Sequence, residues 1–142
     1  MSLTPSDLLC FALYSTSHAM QRAYAPLLDP FGMTYPQYLV LLTLWSEDGQ
    51  SVGQIARALQ LESNTLTPLL KRIEAQGLIQ RSRSTSDERQ VIVSLTALGR
   101  ALEADLRHVP NCIGERSGMD QPSLKALKDQ VVRLRGALNR QD

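Results

Sequence analysis

The sequence predicts a mainly α-helical chain that carries one small β-hairpin. Three observations lead there. Apolar residues recur at i, i+3, i+4 and i+7 along most of the 142 residues, the mark of helices with one buried face. Strict alternation is confined to 78–95, where Ile79, Val91, Val93 and Leu95 stand at alternate positions on either side of polar residues 84–89, as in two short strands joined by a turn. Helix punctuation is plain: Thr34, Ser51 and Thr96 read as N-caps and Gly77 as a C-terminal stop.

The elements follow in order. Thr4-Pro5 should open the first helix, with Thr4 as cap and proline in the first helical position. Leu8, Leu9, Phe11, Ala12, Met20, Leu27 and Leu28 supply its apolar surface. Pro26 should kink or tighten its end, and Asp29-Pro30-Phe31-Gly32 is a turn. Thr34 and Gln37 form a capping box for a helix that runs to about Trp45. That helix is apolar nearly all round and belongs at the centre of a core. Glu47-Asp48-Gly49-Gln50 is a loop. A short helix follows with Val52, Ile55, Ala56 and Leu59 on one face; the next runs from about Ser63 to Gln76 and buries Leu66, Leu69, Leu70 and Ile73. Residues 78–83 and 90–95 are the hairpin. Thr96 caps a helix running toward Val109, which Pro110-Asn111 should break. Pro122 lies just inside a last helix to about Asn139, whose Leu124, Leu127, Val131, Leu134 and Leu138 are spaced 3,4,3,4. That seam suits a coiled-coil contact between two copies of the chain; packing within one chain is the alternative.

Composition sets bounds. Hydrophobic residues make up 43% of the chain, enough for a core. No apolar run approaches the roughly 20 residues that span a membrane, and no secretory signal is visible, so a cytoplasmic protein with no membrane partner is expected. The net charge of +1 is weak support for a nucleic-acid partner. Residues 51–95 are more basic: Arg57, Lys71, Arg72, Arg81, Arg83 and Arg89 face Glu62, Glu74, Asp87 and Glu88. The motif carries more than the charge. Helix, turn, helix and hairpin in that order read as a winged helix-turn-helix, whose partner is duplex DNA. Ser63, Asn64, Thr65 and Thr67 are short polar side chains at the start of the second helix, suited to close approach to base edges. Pro68 offers methylenes to a thymine methyl but should cost a backbone bond if it lies beyond the first turn. Lys71 and Arg72 suit phosphates or a guanine. Ordinary helix capping is the alternative for Ser63 to Thr67. Arg89 on the hairpin tip suits a narrow minor groove, with a solvated turn as the alternative. Arg81 and Arg83 could touch phosphates or simply face solvent.

At this point the residues resemble a family. Leu9-Cys10-Phe11-Ala12-Leu13-Tyr14, Thr34-Tyr35-Pro36-Gln37-Tyr38-Leu39, Thr65-Leu66-Thr67-Pro68-Leu69-Leu70-Lys71-Arg72 and Asp87-Glu88-Arg89 resemble, in order, blocks of the MarR family of winged-helix regulators. The first two narrow the likeness to the organic hydroperoxide resistance regulators, of the two-cysteine type. The resemblance implies a homodimer, a palindromic operator, no cofactor and an organic hydroperoxide as inducer. It implies that Asp87 pairs with Arg89 and orients it. It makes Cys10 the peroxidatic residue, hydrogen-bonded by Tyr24 and Tyr35 of the partner subunit, and Cys112 the resolving thiol of an intersubunit disulfide. The expected organisation is therefore 1–33 for dimerisation and the sensor cysteine, 34–96 for DNA binding, and 97–142 for further dimerisation helices.

The residues themselves are consistent with such a sensor without requiring it. Leu9, Phe11 and Leu13 beside Cys10 offer an apolar wall for an organic peroxide. Only a thiolate attacks an O–O bond efficiently, and phenolic donors or a helix N-terminus favour the anion. Cys112 follows Pro110-Asn111, an expected helix break that could expose and move it. Inert core thiols are the alternative for both cysteines. A bridge needs Cα atoms within about 7 Å, whereas paired recognition helices sit about 34 Å apart on DNA, so closing a bridge can disturb DNA register. His18 and His108 lie in no metal-ligand spacing, and no metal site is expected. Competing functions remain: a regulator of the same fold released by a small aromatic ligand, and a thiol peroxidase. A non-enzymatic repressor is the favoured reading.

Overall fold

The computed structural model describes residues 2–140. Met1, Gln141 and Asp142, which the expected terminal segments include, lie outside the described residues. The chain divides into two compact units, Met1–Arg107 and His108–Asp142.

The first unit opens with a 3-10 turn, Pro5–Asp7, rather than with the main helix. The Asp7 carboxylate accepts from the Thr4 N–H at 2.8 Å and from the Thr4 hydroxyl at 2.9 Å. That closed local box leaves Leu8 extended, and helix α1 begins only at Leu9 (Leu9–Leu28). Pro26 is accommodated in its last turn, and the chain leaves through a second 3-10 turn, Asp29–Phe31, ended by Gly32 at φ +63°. Helix α2 (Tyr35–Ser46) starts at the expected capping box, Thr34 with Gln37. Helices α3 (Val52–Leu59) and α4 (Ser63–Ala75) follow. Ser51 caps α3 and forms a second box with Gln54.

The sheet has three strands, one more than expected. β1 (Gln50–Ser51), β2 (Ile79–Arg83) and β3 (Val91–Leu95) are antiparallel in the order β1-β3-β2. Gln50 lies opposite Val93 and Arg81 lies opposite Val93 on the other side. Two residues of β1 are too few to show any alternation, so the sequence reads them as loop. The core is built as the periodicity requires. Val40, Leu41 and Leu44 of α2, Ile55 of α3, Leu66, Leu70 and Ile73 of α4, and Val93 of β3 are fully enclosed; each such aliphatic side chain contributes about 1.5–3 kcal/mol.

Helix α5 (Ala97–Leu106) is capped by Thr96, whose oxygen accepts from the Gly99 N–H at 3.1 Å. The start of α5 is bolted to the end of α4. The Thr96 N–H donates to the Leu78 carbonyl at 3.0 Å and its hydroxyl to the Gly77 carbonyl at 2.6 Å. Trp45 Nε1–H of α2 donates to the Gly99 carbonyl at 2.9 Å. A Cβ on Gly99 would collide with the Leu78 carbonyl oxygen, so only glycine fits.

The second unit holds α6 (Val109–Ser117) and α7 (Gln121–Asn139). Pro110-Asn111 does not break a helix. The interruption falls at Arg107 and His108, and Pro110 occupies the second position of α6, where a missing N–H costs nothing. Cys112 therefore sits inside a helix, its N–H donating to the His108 carbonyl at 3.1 Å. Asp120 caps α7 through the Ser123 N–H at 2.8 Å. No residue of α7 is buried in this chain: Leu127, Val131 and Leu138 are 48%, 37% and 67% exposed.

Candidate nucleic-acid interface and cysteine site

Helix α4 turns its apolar stripe inward and leaves the opposite face bare. Leu66, Leu69, Leu70 and Ile73 are buried; Ser63, Asn64, Thr65, Pro68, Lys71 and Arg72 are exposed and Thr67 is half-buried. Ordinary capping does not account for the polar cluster. The N-cap is Glu62, which makes no side-chain cap bond, and Ser63 to Thr67 all lie within the helix. Pro68 sits beyond the first turn and removes the donor that the Asn64 carbonyl would have met. One residue back, the Ser63 carbonyl accepts the Thr67 hydroxyl at 2.9 Å. The turn between α3 and α4 relies on Gln60 in the left-handed region, φ +57°, a strained position for a residue with a Cβ.

The far end of α4 is closed by a Schellman arrangement. The Leu78 N–H donates to the Ile73 carbonyl at 3.2 Å and the Gly77 N–H to the Glu74 carbonyl at 2.9 Å, with Gly77 at φ +78°. The hairpin follows at once. Its tip is held by the Ser84 N–H on the Gln90 carbonyl, the Gln90 N–H on the Asp87 carbonyl, both 2.9 Å, and an Arg83 guanidinium bond to the Glu88 carbonyl at 2.8 Å. Asp87 Oδ1 accepts from the Arg89 backbone N–H at 3.1 Å and from its Nε at 3.3 Å. The Arg89 side chain is 92% exposed, so this ion pair adds little stability while fixing where the guanidinium starts. Arg81 is not a free strand-face cation: its guanidinium lies 2.9 Å from Glu74 of α4. From the sequence Glu74 is only one of four acidic residues in the segment 51–95, since nothing in a single sequence signals a pair between a helix and the strand after it.

Cys10 is the second residue of α1 and is exposed. Leu8, the N-cap, supplies no side-chain cap, so among the described residues no cap side chain meets the N–H groups of the first turn, to which Cys10 belongs. The apolar wall is not assembled by one chain. Leu9 and Phe11 are 62% and 42% exposed and Leu13 is half-buried; successive helical residues fan out by about 100°, so Leu9, Cys10 and Phe11 cannot share a face.

Tyr24 and Tyr35 do come together, ring centroids 4.7 Å apart, with the Tyr38 ring 5.9 Å from Tyr24. Both are half-buried. Burial, then the neighbouring phenols of Tyr35 and Tyr38, push the Tyr24 hydroxyl up to about 12, and burial raises Tyr35. Both are protonated donors at neutral pH. They cannot serve the sulfur of their own chain: Tyr24 is fourteen residues along α1 from Cys10, a rise of about 21 Å. Cys112 is half-buried, and both cysteines are free thiols.

A helix-turn-helix with a hairpin wing and an exposed polar recognition face defines a class, the winged-helix transcriptional regulators. Comparison with known proteins agrees. Residues 22–106 match the family model described as transcriptional regulator SarA/Rot. The organic hydroperoxide resistance transcriptional regulator of Bacillus subtilis is 44% identical over 134 residues, covering 94% of this chain and 91% of its own. The HTH-type transcriptional regulator TtmR of Methylorubrum extorquens is 48% identical over 131 residues, 92% of this chain and 67% of its own. Reduced AbfR bound to DNA superposes with a TM-score of 0.80 at 39% identity, covering 94% of this chain and 92% of that one; disulfide-formed AbfR gives 0.65 at 41%, covering 89% and 88%. The chain belongs to the MarR family, among the relatives of the organic hydroperoxide resistance regulators.

Proposed function

We propose that the protein is a homodimeric repressor that holds a palindromic operator when reduced and releases it when an organic hydroperoxide oxidises Cys10. The exposed sulfur at an uncapped helix N-terminus carries this reading. An anion there meets unpaired N–H groups and the positive end of the helix dipole. The Tyr24–Tyr35 pair, out of reach along its own helix, fits donation to the sulfur of a second copy. The exposed apolar residues of α7 and of the start of α1 fit the surfaces that join the copies. Ser63, Asn64, Thr65, Thr67 and Pro68 then face base edges, Lys71 and Arg72 face phosphates, and Arg89, held by Asp87, enters the flanking minor groove.

The chemistry balances without a cofactor. The Cys10 thiolate attacks the peroxide O–O bond and takes one oxygen; the alcohol leaves, so sulfur is oxidised and peroxide reduced. The Cys112 thiol of the other subunit attacks the sulfenic acid, the S–S bond forms and water leaves. AbfR, solved reduced on DNA and in a disulfide form, supports this order of events.

The test is a non-reducing gel beside a DNA-binding titration, both before and after cumene hydroperoxide. A covalent dimer that is absent from Cys10→Ser and Cys112→Ser proteins is expected, with DNA affinity restored by dithiothreitol. A Cys112→Ser protein that still crosslinks removes Cys112 from the scheme, and one that still releases DNA leaves a small thiol as the resolving partner.

A further inference from the structure

Glu74 links helix α4 to the wing through its side chain, and the DNA contacts assigned above do not use it. Its carboxylate accepts three bonds from one residue of β2. Oε2 takes the Arg81 backbone N–H at 3.0 Å, and Oε1 takes Nη2 at 2.9 Å and Nε at 3.2 Å. β2 is the outer strand of the sheet, and alternate residues of such a strand point their N–H groups away from the ladder. Arg81 is one of these, so Glu74 occupies the place that a further strand would fill. The guanidinium folds back onto the same carboxylate, with Nε and Nη2 sharing the single oxygen Oε1, and such charge-assisted bonds are stronger than neutral ones. These bonds hold the Glu74 carboxyl below its usual range, so the group is ionised at neutral pH.

Helix α4 and β2 are thus attached twice, by the short turn through Gly77 and Leu78 and by this clamp. The tip of the wing is far from the attachment. Asp87 lies six positions on from Arg81, up to about 20 Å of extended chain. A slight swing of β2 against α4 is therefore magnified at Arg89. The wing tip has its own internal bonds, but those fix its shape, not its angle to the helix.

We propose that Glu74, through Arg81, is a positioning residue that sets the distance between the groove-reading face of α4 and the wing-tip guanidinium of Arg89, and so decides whether both engage one duplex together. This rests on the reading of Arg89 as a DNA contact.

A double-mutant cycle separates the two ideas. The probe is a duplex selected by the wild-type protein from a random-sequence pool, titrated by fluorescence anisotropy with thermal unfolding recorded for every variant. Arg89→Ala is expected to weaken binding about 20-fold. Glu74→Ala is expected to weaken it about 10-fold, and Glu74→Gln, which keeps an acceptor for the Arg81 N–H, only about threefold. The Glu74→Ala, Arg89→Ala pair should bind no worse than Arg89→Ala alone, because a misplaced wing costs nothing once its contact is gone. Fold-losses that multiply in the double variant, with Arg89→Ala weak on its own, overturn the clamp and leave the wing contact standing. A Glu74→Ala protein that binds like wild type overturns it too. Wild-type affinity in Arg89→Ala overturns the wing contact, and the clamp with it. If the alanine variant does not fold, the glutamine variant runs the same cycle, with the same requirement that its loss vanish in the Arg89→Ala background.

Discussion

Two regions of the first compact unit use their apolar residues in opposite ways. Around α4 and the wing, the large aliphatic side chains are buried or, for Val91, Ile92 and Leu95, half-buried, and each backbone junction is stitched: Leu78 to Ile73, Thr96 to Gly77 and Leu78, Arg81 to Glu74. At the start of α1, Leu8, Leu9 and Phe11 are 46%, 62% and 42% exposed, and the helix has no side-chain cap. The first region is complete in one chain. The second has the composition of an interior without the surroundings of one. An exposed apolar cluster of this kind suits contact with another surface, and Cys10 lies at that unfinished end.

Substitutions can break or sharpen the contrast. The largest effect should fall in the finished region. Gly99→Ala forces a methyl into the Leu78 carbonyl and should cost about 3 kcal/mol, read as a lower urea midpoint; an unchanged midpoint would show the α4–α5 junction to be loose. At the unfinished end, Cys10→Ser should leave folding and DNA binding intact while abolishing release. Wild type should lose about a hundredfold in affinity after hydroperoxide, about 2.8 kcal/mol, and the serine protein less than twofold. Leu127→Glu on α7 should preserve helicity by circular dichroism, since no residue there is buried, yet shift sedimentation toward monomer and weaken DNA binding about tenfold. A dimer that persists would assign that seam to packing within one chain. Ser51→Ala removes an N-cap bond to Gln54 and should cost about 1 kcal/mol.

The smallest effect is a pH dependence. The folded chain holds the Tyr24 proton up to about 12, whereas an unfolded chain releases it near 10. The stability this burial carries is whole below pH 10 and drains away as pH rises toward 12. Tyr24→Phe should make the alkaline fall in urea midpoint shallower, without removing it, because Tyr35 and Tyr38 are raised as well. An equally steep fall in both proteins would contradict the buried phenol.

The sequence was most readable where structure is local. The box at Thr34, the cap at Ser51, the Gly77 stop and the buried stripe of α4 each depend on residues within a turn or two, and the sequence shows all four; that Gln54 completes a second box at Ser51 it does not show. The wing was legible from Val91, Val93 and Leu95. What escaped depends on distant partners or on too few residues. β1 is two residues long. The interruption between α5 and α6 was placed at Pro110, because proline ends helices and also begins them. Arg81 reads from the sequence as a phosphate contact or a solvent-facing charge and Glu74 only as one acidic residue of the segment; their pairing shows once β2 lies beside α4. At the start of α1, nearness in sequence makes Leu9, Phe11 and Leu13 apolar neighbours of Cys10, but a helix fans consecutive residues apart, and one chain does not enclose the sulfur.

Trp45 is the only tryptophan in the chain, and its indole N–H is tied to the Gly99 carbonyl with the Tyr38 ring edge-on at 6.3 Å. Indole emission responds to such a bond and to nearby water. The molecule therefore carries its own optical gauge of whether α5 stays seated against α2, one that can be followed through an oxidation time course with no dye attached.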